Sequence, residues 1–156
     1  MSGRGFAAIG VYQPKREVNV GGVWRAATLY GAAYIYTVGS RYQRDPGDTP
    51  RTPLHTPLHH YADVDDLVEH LPHGCPLIGV ELDSRAVSLT GYRHPQRAAY
   101  LLGAEDHGLP PQVLERCHEV VVVPTPRLIS HNVATAGALV LHDRYVKRDD
   151  SASDGS

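Results

Sequence analysis

Five short apolar runs, separated by segments of helical periodicity, constrain this chain of 156 residues more than any other feature. They are Phe6 to Tyr12, Ala33 to Val38, Pro76 to Val80, Ala98 to Leu102 and Glu119 to Val123. Each is close to continuously apolar. A strand with one wet face alternates, whereas a parallel strand covered on both faces does not. Helical patterns lie between and after them, at about 19–31, 63–71, 110–117 and 132–147. Asp63 carries the acceptor side chain of an N-cap, and Pro110-Pro111 opens a helix where a missing N–H costs nothing. Strand and helix in alternation predict an α/β domain, a mainly parallel sheet flanked by helices. One domain is expected over 1–148, followed by a disordered polar tail at 149–156.

Composition removes several alternatives. Hydrophobic residues at 42% and charged residues at 21% supply a real core, which excludes a disordered body. No apolar run approaches the roughly 20 residues that span a bilayer, and Met1 to Phe6 lacks a signal peptide's apolar stretch. Cys75 and Cys117 make neither a disulfide framework nor a C-x-x-C. A soluble cytoplasmic protein with no membrane partner is the expectation. Charge is uneven: residues 1–60 carry +4 and residues 61–120 carry −6. A basic N-terminal third can face a polyanion, although an unevenly decorated surface accounts for the same numbers. Residues 40–60, with Arg41, Arg44, Arg51 and four prolines, predict an irregular basic loop in which Thr-Pro-Leu-His occurs twice in succession.

Familiar catalytic signatures are missing. There is no G-x-S-x-G elbow, no phosphate-binding P-loop and no G-x-G-x-x-G. His55, His59 and His60 invite a metal, but Pro57 removes the helix that would align them, so no metal is expected. Gly21-Gly22 would let a phosphate approach a helix start.

Three segments are more informative together than apart. The first runs from Asn19 to Ala26, after the first strand, with Val20, Val23, Trp24 and Ala27 as an apolar stripe. Asn19 reads as an N-cap, and Arg25 falls off that stripe, about 100° from Trp24. The second, Leu101 to Leu109, follows a buried strand, where ligands sit in open parallel sheets and where Gly103 and Gly108 allow close backbone approach. The third, Val123 to Asn132, is a proline-pinned loop into the last helix, which Ser130 or Asn132 would cap.

In this order the three segments resemble the SpoU (TrmH-like) branch of the SPOUT RNA methyltransferases. The family pattern of N-x5-R, then G-x-E-x2-G, then P…S-x-N-x-A is matched by Asn19/Arg25, by Gly103/Glu105/Gly108 and by Pro124/Ser130/Asn132/Ala134. His131 replaces the family's usual Leu, and the loop before Asn132 is about one residue shorter. The resemblance covers about residues 6–147.

The resemblance implies a C-terminal trefoil knot, an S-adenosylmethionine cofactor, a homodimer and methyl transfer to a ribose 2′-hydroxyl. By family position Val80, Gly103, Gly108, Val123, Leu128 and Ser130 would bind the cofactor, although ordinary core packing is the better default for valines at such places. Arg25 would be the central catalytic residue. A guanidinium is a poor general base, so clamping a phosphate and stabilising the developing alkoxide is the easier role. Asn19 would orient Arg25, Glu105 would hold the network, and Ser130 with Asn132 would contact substrate or fix the loop. Minimal single-domain relatives favour tRNA, with ribosomal RNA second. A knotted binding protein that has lost turnover is the competing reading.

Overall fold

The computed structural model describes residues 5–40, 55–103, 107–127 and 132–154. In chain order the elements are β1 (Phe6–Tyr12), α1 (Glu17–Leu29), β2 (Tyr34–Val38), β3 (Leu58–Tyr61), α2 (Val64–Glu69), β4 (Leu77–Val80), β5 (Val87–Ser88), β6 (Arg97–Leu102), α3 (Pro111–Leu114), β7 (Glu119–Val122) and α4 (Val133–Asp154). Among the described residues seven strands form one sheet in the order β3-β2-β1-β6-β4-β7-β5. Every pairing is parallel.

The apolar runs are continuous because the sheet is covered on both faces. On one side Ile9, Val11, Ile78 and Val121 pack with Val20, Val23 and Ala27 of α1 and Val133, Val140 and Leu141 of α4. On the other, Ala8, Tyr36, Leu77, Leu101 and Val120 pack with Leu67 of α2 and Val113 of α3. Neighbours along a strand, such as Ala8 and Ile9, therefore enter opposite cores. The expected α/β architecture is present as three layers.

Helix α1 lies close against α4 at a small-residue contact. A Cβ on Gly22 would stand 2.6 Å from the Ala134 methyl, so Gly22 is needed for the close packing between the helices. Gly137 of α4 faces Leu102, Ile9 and Val23. The small residues of the last helix are thus spent at least partly inside the chain. Farther along α4, Arg144 is buried and fully engaged. Its Nη1 donates to the Pro95 carbonyl at 2.7 Å and to the Tyr100 hydroxyl at 3.1 Å, and its Nη2 donates to the Gln96 carbonyl at 2.7 Å.

Several expectations from sequence need correction. Helix α1 starts at Glu17, so Asn19 lies inside its first turn, while the cap position is Arg16, with no side-chain bond. Two strands escaped the pattern. β3 lies in the segment read as an irregular loop, and two-residue β5 has exposed side chains. α3 is four residues long instead of filling 110–117. α4 continues past 147 as far as Asp154, so backbone assigned from composition to a disordered tail is helical. Among the described residues no helix is long and apolar enough to cross a membrane.

Candidate functional site

Parallel pairing aligns the carboxyl ends of three adjacent strands. Val80, the last residue of β4, is level with Leu102 of β6 on one side and with Val121 of β7 on the other. The chain leaves all three strands on the same edge of the sheet, where backbone groups beyond the last ladder bonds become available to a ligand. Val80 is buried at 8% exposure, and Val123, just past β7, is half-buried against the same core. These two valines are packed residues that also border the edge.

Just past β6, Gly103 lies directly against Gly108 and the Leu109 amide. A Cβ on Gly103 would lie 2.6 Å from both Cα and C of Gly108, so only glycine permits this contact. Gly108 has φ +63, in the left-handed region that glycine adopts without strain. Both glycines expected at the cofactor thus have a structural role in this contact. The carboxylate of Glu81, immediately after β4, fastens it. Its Oε2 accepts from the Leu109 amide at 2.7 Å and its Oε1 from the Leu82 amide at 3.0 Å. Sequence reasoning missed Glu81. The available signal was an acidic residue placed directly after the apolar run Pro76 to Val80, at the ligand-binding end of a strand.

Asn132 caps α4: its Oδ1 accepts from the Ala134 amide at 3.0 Å and the Thr135 amide at 3.3 Å. Its Nδ2 donates to Oδ1 of Asn19 at 3.2 Å. Asn19 is 6% exposed. The first and third sequence segments therefore meet through a pair of asparagines that joins the first turn of α1 to the start of α4. Arg25 is exposed on α1, off the buried Val20, Val23 and Ala27 stripe as expected, and no described residue forms an ion pair with it. Trp24 beside it is half-buried, and its indole N–H donates to the Thr56 carbonyl at 2.7 Å, which makes it a structural residue. Glu105, Leu128, Ser130 and His131 lie outside the described residues.

Other candidate chemistry recedes. Burial pushes the Cys117 thiol up to about 11 and raises that of Cys75, the opposite of what a nucleophile needs. The His60 ring pairs its Nδ1 with the Thr37 hydroxyl at 2.9 Å, and His59 packs edge-on against Tyr34. Asp66, Glu69 and His70 are the described residues close enough to share an ion. Asp66 already accepts from the Ala62 amide at 2.9 Å, however, and bonds His70 within its own helix.

The fold and these segments have counterparts elsewhere. The tRNA (guanosine(18)-2'-O)-methyltransferase TARBP1 of Mus musculus is 27% identical over 134 residues, covering 81% of this chain. The 23S rRNA (guanosine-2'-O-)-methyltransferase RlmB of Acinetobacter baylyi is 32% identical over 73 residues, or 46% of this chain. The chain spans only 8% and 29% of the lengths of these two proteins. Among solved structures, one concerned with the 2-OH methylation of C/U34 on tRNA superposes with a TM-score of 0.74 at 24% identity, over 95% of this chain and 94% of that one. The SpoU methyltransferase AviRb from Streptomyces viridochromogenes, in complex with AdoMet, gives 0.78 at 19% identity, over 95% of this chain and 60% of that one. These structures share the fold. The family model described as "SpoU rRNA Methylase family" matches residues 7–142, a stretch that takes in all three segments, and the chain belongs to this family.

Proposed function

We propose that this protein transfers a methyl group from S-adenosylmethionine to a ribose 2′-hydroxyl of RNA, in tRNA by preference. The observation that carries the reading is where the described parts of the three family segments lie. Gly103 meets Gly108 beside the ends of β4 and β7, and Asn19 is hydrogen-bonded to Asn132 at the heads of α1 and α4. The residues present fit such a cofactor. Val80 and Val123 offer apolar walls, and the strand ends offer backbone donors and acceptors of the kind that recognise a purine edge. Gly103, Gly108, Leu128 and Ser130 complete the proposed cofactor set. When bound, the cofactor supplies an electrophilic methyl on sulfur.

The remaining chemistry belongs to the chain. Arg25 clamps the phosphate next to the reacting ribose and stabilises the alkoxide character that develops as the hydroxyl proton passes to solvent water, a task suited to a planar guanidinium. Asn19 and Asn132 fix the first turn of α1 relative to α4 and so set where Arg25 stands. Glu105 and Ser130 hold the substrate hydroxyl and the loop around it. tRNA leads because TARBP1 and the structure concerned with C/U34 are both tRNA-directed, and the RlmB similarity makes ribosomal RNA second.

A homodimer, a trefoil knot through the last segment and a cytoplasmic setting belong to the same proposal. Exposed Val18 and Leu29 on α1 and Leu139, Tyr145 and Val146 on α4 support a self-associating face. Light scattering should give twice the 17.0 kDa chain mass. Incubation with methyl-labelled S-adenosylmethionine and total RNA, followed by nuclease mapping, tests the activity. Label in a 2′-O-methylated tRNA nucleotide is the expected result. Cofactor binding without any incorporation would establish the inactive binding protein instead.

A further inference from the structure

We propose that Glu81 is a positioning residue for the cofactor: its carboxylate locks the Gly108-Leu109 backbone against the exits of β4 and β7. This rests on the function proposed above and names a residue outside the family segments. Glu81 touches all three pieces of backbone that border the site. Its own amide donates to the Val121 carbonyl of β7 at 3.0 Å, which extends the sheet one step past Val80. Its Oε1 is held by the neighbouring Leu82 amide at 3.0 Å, which fixes the carboxylate's direction. Its Oε2 then receives the Leu109 amide at 2.7 Å, a charge-assisted bond.

Gly108 shows how closely this clamp is fitted. A Cβ there would collide with Oε2 of Glu81, so the carboxylate occupies the space that a side chain would fill. Leu109, next in line, is 4% exposed, and its Cδ1 would lie 3.2 Å from a Cβ on Gly79. Leu109 is therefore anchored in the core, Gly103 stands at the exit of β6, and Glu81 sets the distance between that anchor and the exit of β4. A cofactor held by backbone groups of these segments senses sub-ångström errors in their spacing, because hydrogen bonds weaken steeply with poor alignment.

The test uses the full chain and S-adenosylhomocysteine binding by calorimetry, with methyl-transfer kinetics alongside. An amide at position 81 keeps one acceptor oxygen and cannot serve both amides, so Glu81→Gln should weaken S-adenosylhomocysteine roughly tenfold. The KM for S-adenosylmethionine should rise in parallel, while kcat stays within about twofold and the KM for RNA is unchanged. Gly108→Ala should weaken cofactor binding more in the wild-type background than in a Glu81→Ala background, where the clashing oxygen is gone and only the strain of φ +63 remains. A residue that merely supports the fold would lower the melting temperature without this split or this coupling. Unchanged cofactor affinity in folded Glu81→Gln, or strict additivity with Gly108→Ala, overturns the proposal. Hydrogen exchange at the Leu109 amide separates the two levels. If wild-type protein binds no cofactor, the proposed function falls, whereas slow exchange that persists in Glu81→Gln refutes the clamp itself.

Discussion

Asn132 should contribute to stability through two separable bonds, and its removal should cost about 2 kcal/mol. One share is the helix cap. Its Oδ1 satisfies two amides of α4, those of Ala134 and Thr135, and deleting such a cap typically costs about 1 kcal/mol. The other share is the bond from Nδ2 to buried Asn19, again about 1 kcal/mol for a partly buried neutral pair. Asn132→Ser separates them, since the hydroxyl caps a helix well but is too short to reach Asn19; it should lose about 1 kcal/mol. In an Asn19→Ala background Asn132→Ser should then cost almost nothing, because the bond it removes is already gone. Urea unfolding reads these differences directly. With slopes of about 1–3 kcal/mol/M, Asn132→Ala should lower the midpoint by about 1 M at constant slope. An Asn132→Ala loss below about 0.5 kcal/mol, or a cycle with Asn19→Ala that shows no coupling, would refute the reasoning.

Three further outcomes follow from the same geometry. Arg25→Ala should leave stability within about 0.5 kcal/mol, since the side chain is exposed, while methyl transfer falls by about 10²-fold or more and Arg25→Lys recovers only part; a wild-type rate would remove Arg25 from the mechanism. Arg144→Ala should cost about 3 kcal/mol or more, because three backbone carbonyls and the Tyr100 hydroxyl lose a charged donor, and a melting temperature within a degree of wild type would contradict that. Burial holds His94 below its ordinary value of 6.5 despite its 2.7 Å contact with Asp143, so the unfolded chain binds the extra proton first. Stability should therefore fall as pH drops below about 6.5, and thermal melts at pH 7 and pH 5 should differ less for His94→Gln than for wild type.

The fold was largely legible, and the reason is physical. Runs such as Pro76 to Val80 and Ala98 to Leu102 have one explanation that fits their length, namely parallel strands with helices on both sides, and the two cores confirm it. What escaped detection carries little apolar signal. β3 is Leu-His-His-Tyr, an edge strand whose histidines are spent on Thr37 and Tyr34, and a chain with a proline just before it reads as loop. β5 is two exposed residues that owe their strand geometry wholly to pairing with β7. The sequence pattern ends α4 early because residues 149–154 read Asp-Asp-Ser-Ala-Ser-Asp, with no apolar periodicity, yet a helix already nucleated by its packed portion propagates at small cost per residue.

The site divides along the same line. Positions with a local rule could be read. Arg25 fell off an apolar stripe, and Asn132 stood where a helix begins. The Asn19 cap was misread because the same residue type that caps a helix also forms a long-range bond, and only the fold decides which. Here Asn19 sits a turn too late to cap α1 and instead meets Asn132, 113 residues away in sequence. Glu81 belongs to this second kind. Its carboxylate acts on Leu109, 28 residues further on, and no periodicity links the two. What brings them together is the register of β4 against β6, with Val80 level with Leu102, so that the first residue beyond one strand faces the Gly108-Leu109 backbone that follows the other. Residues that build the sheet announce themselves by pattern, whereas those that shape the site beyond its edge depend on which strands end side by side.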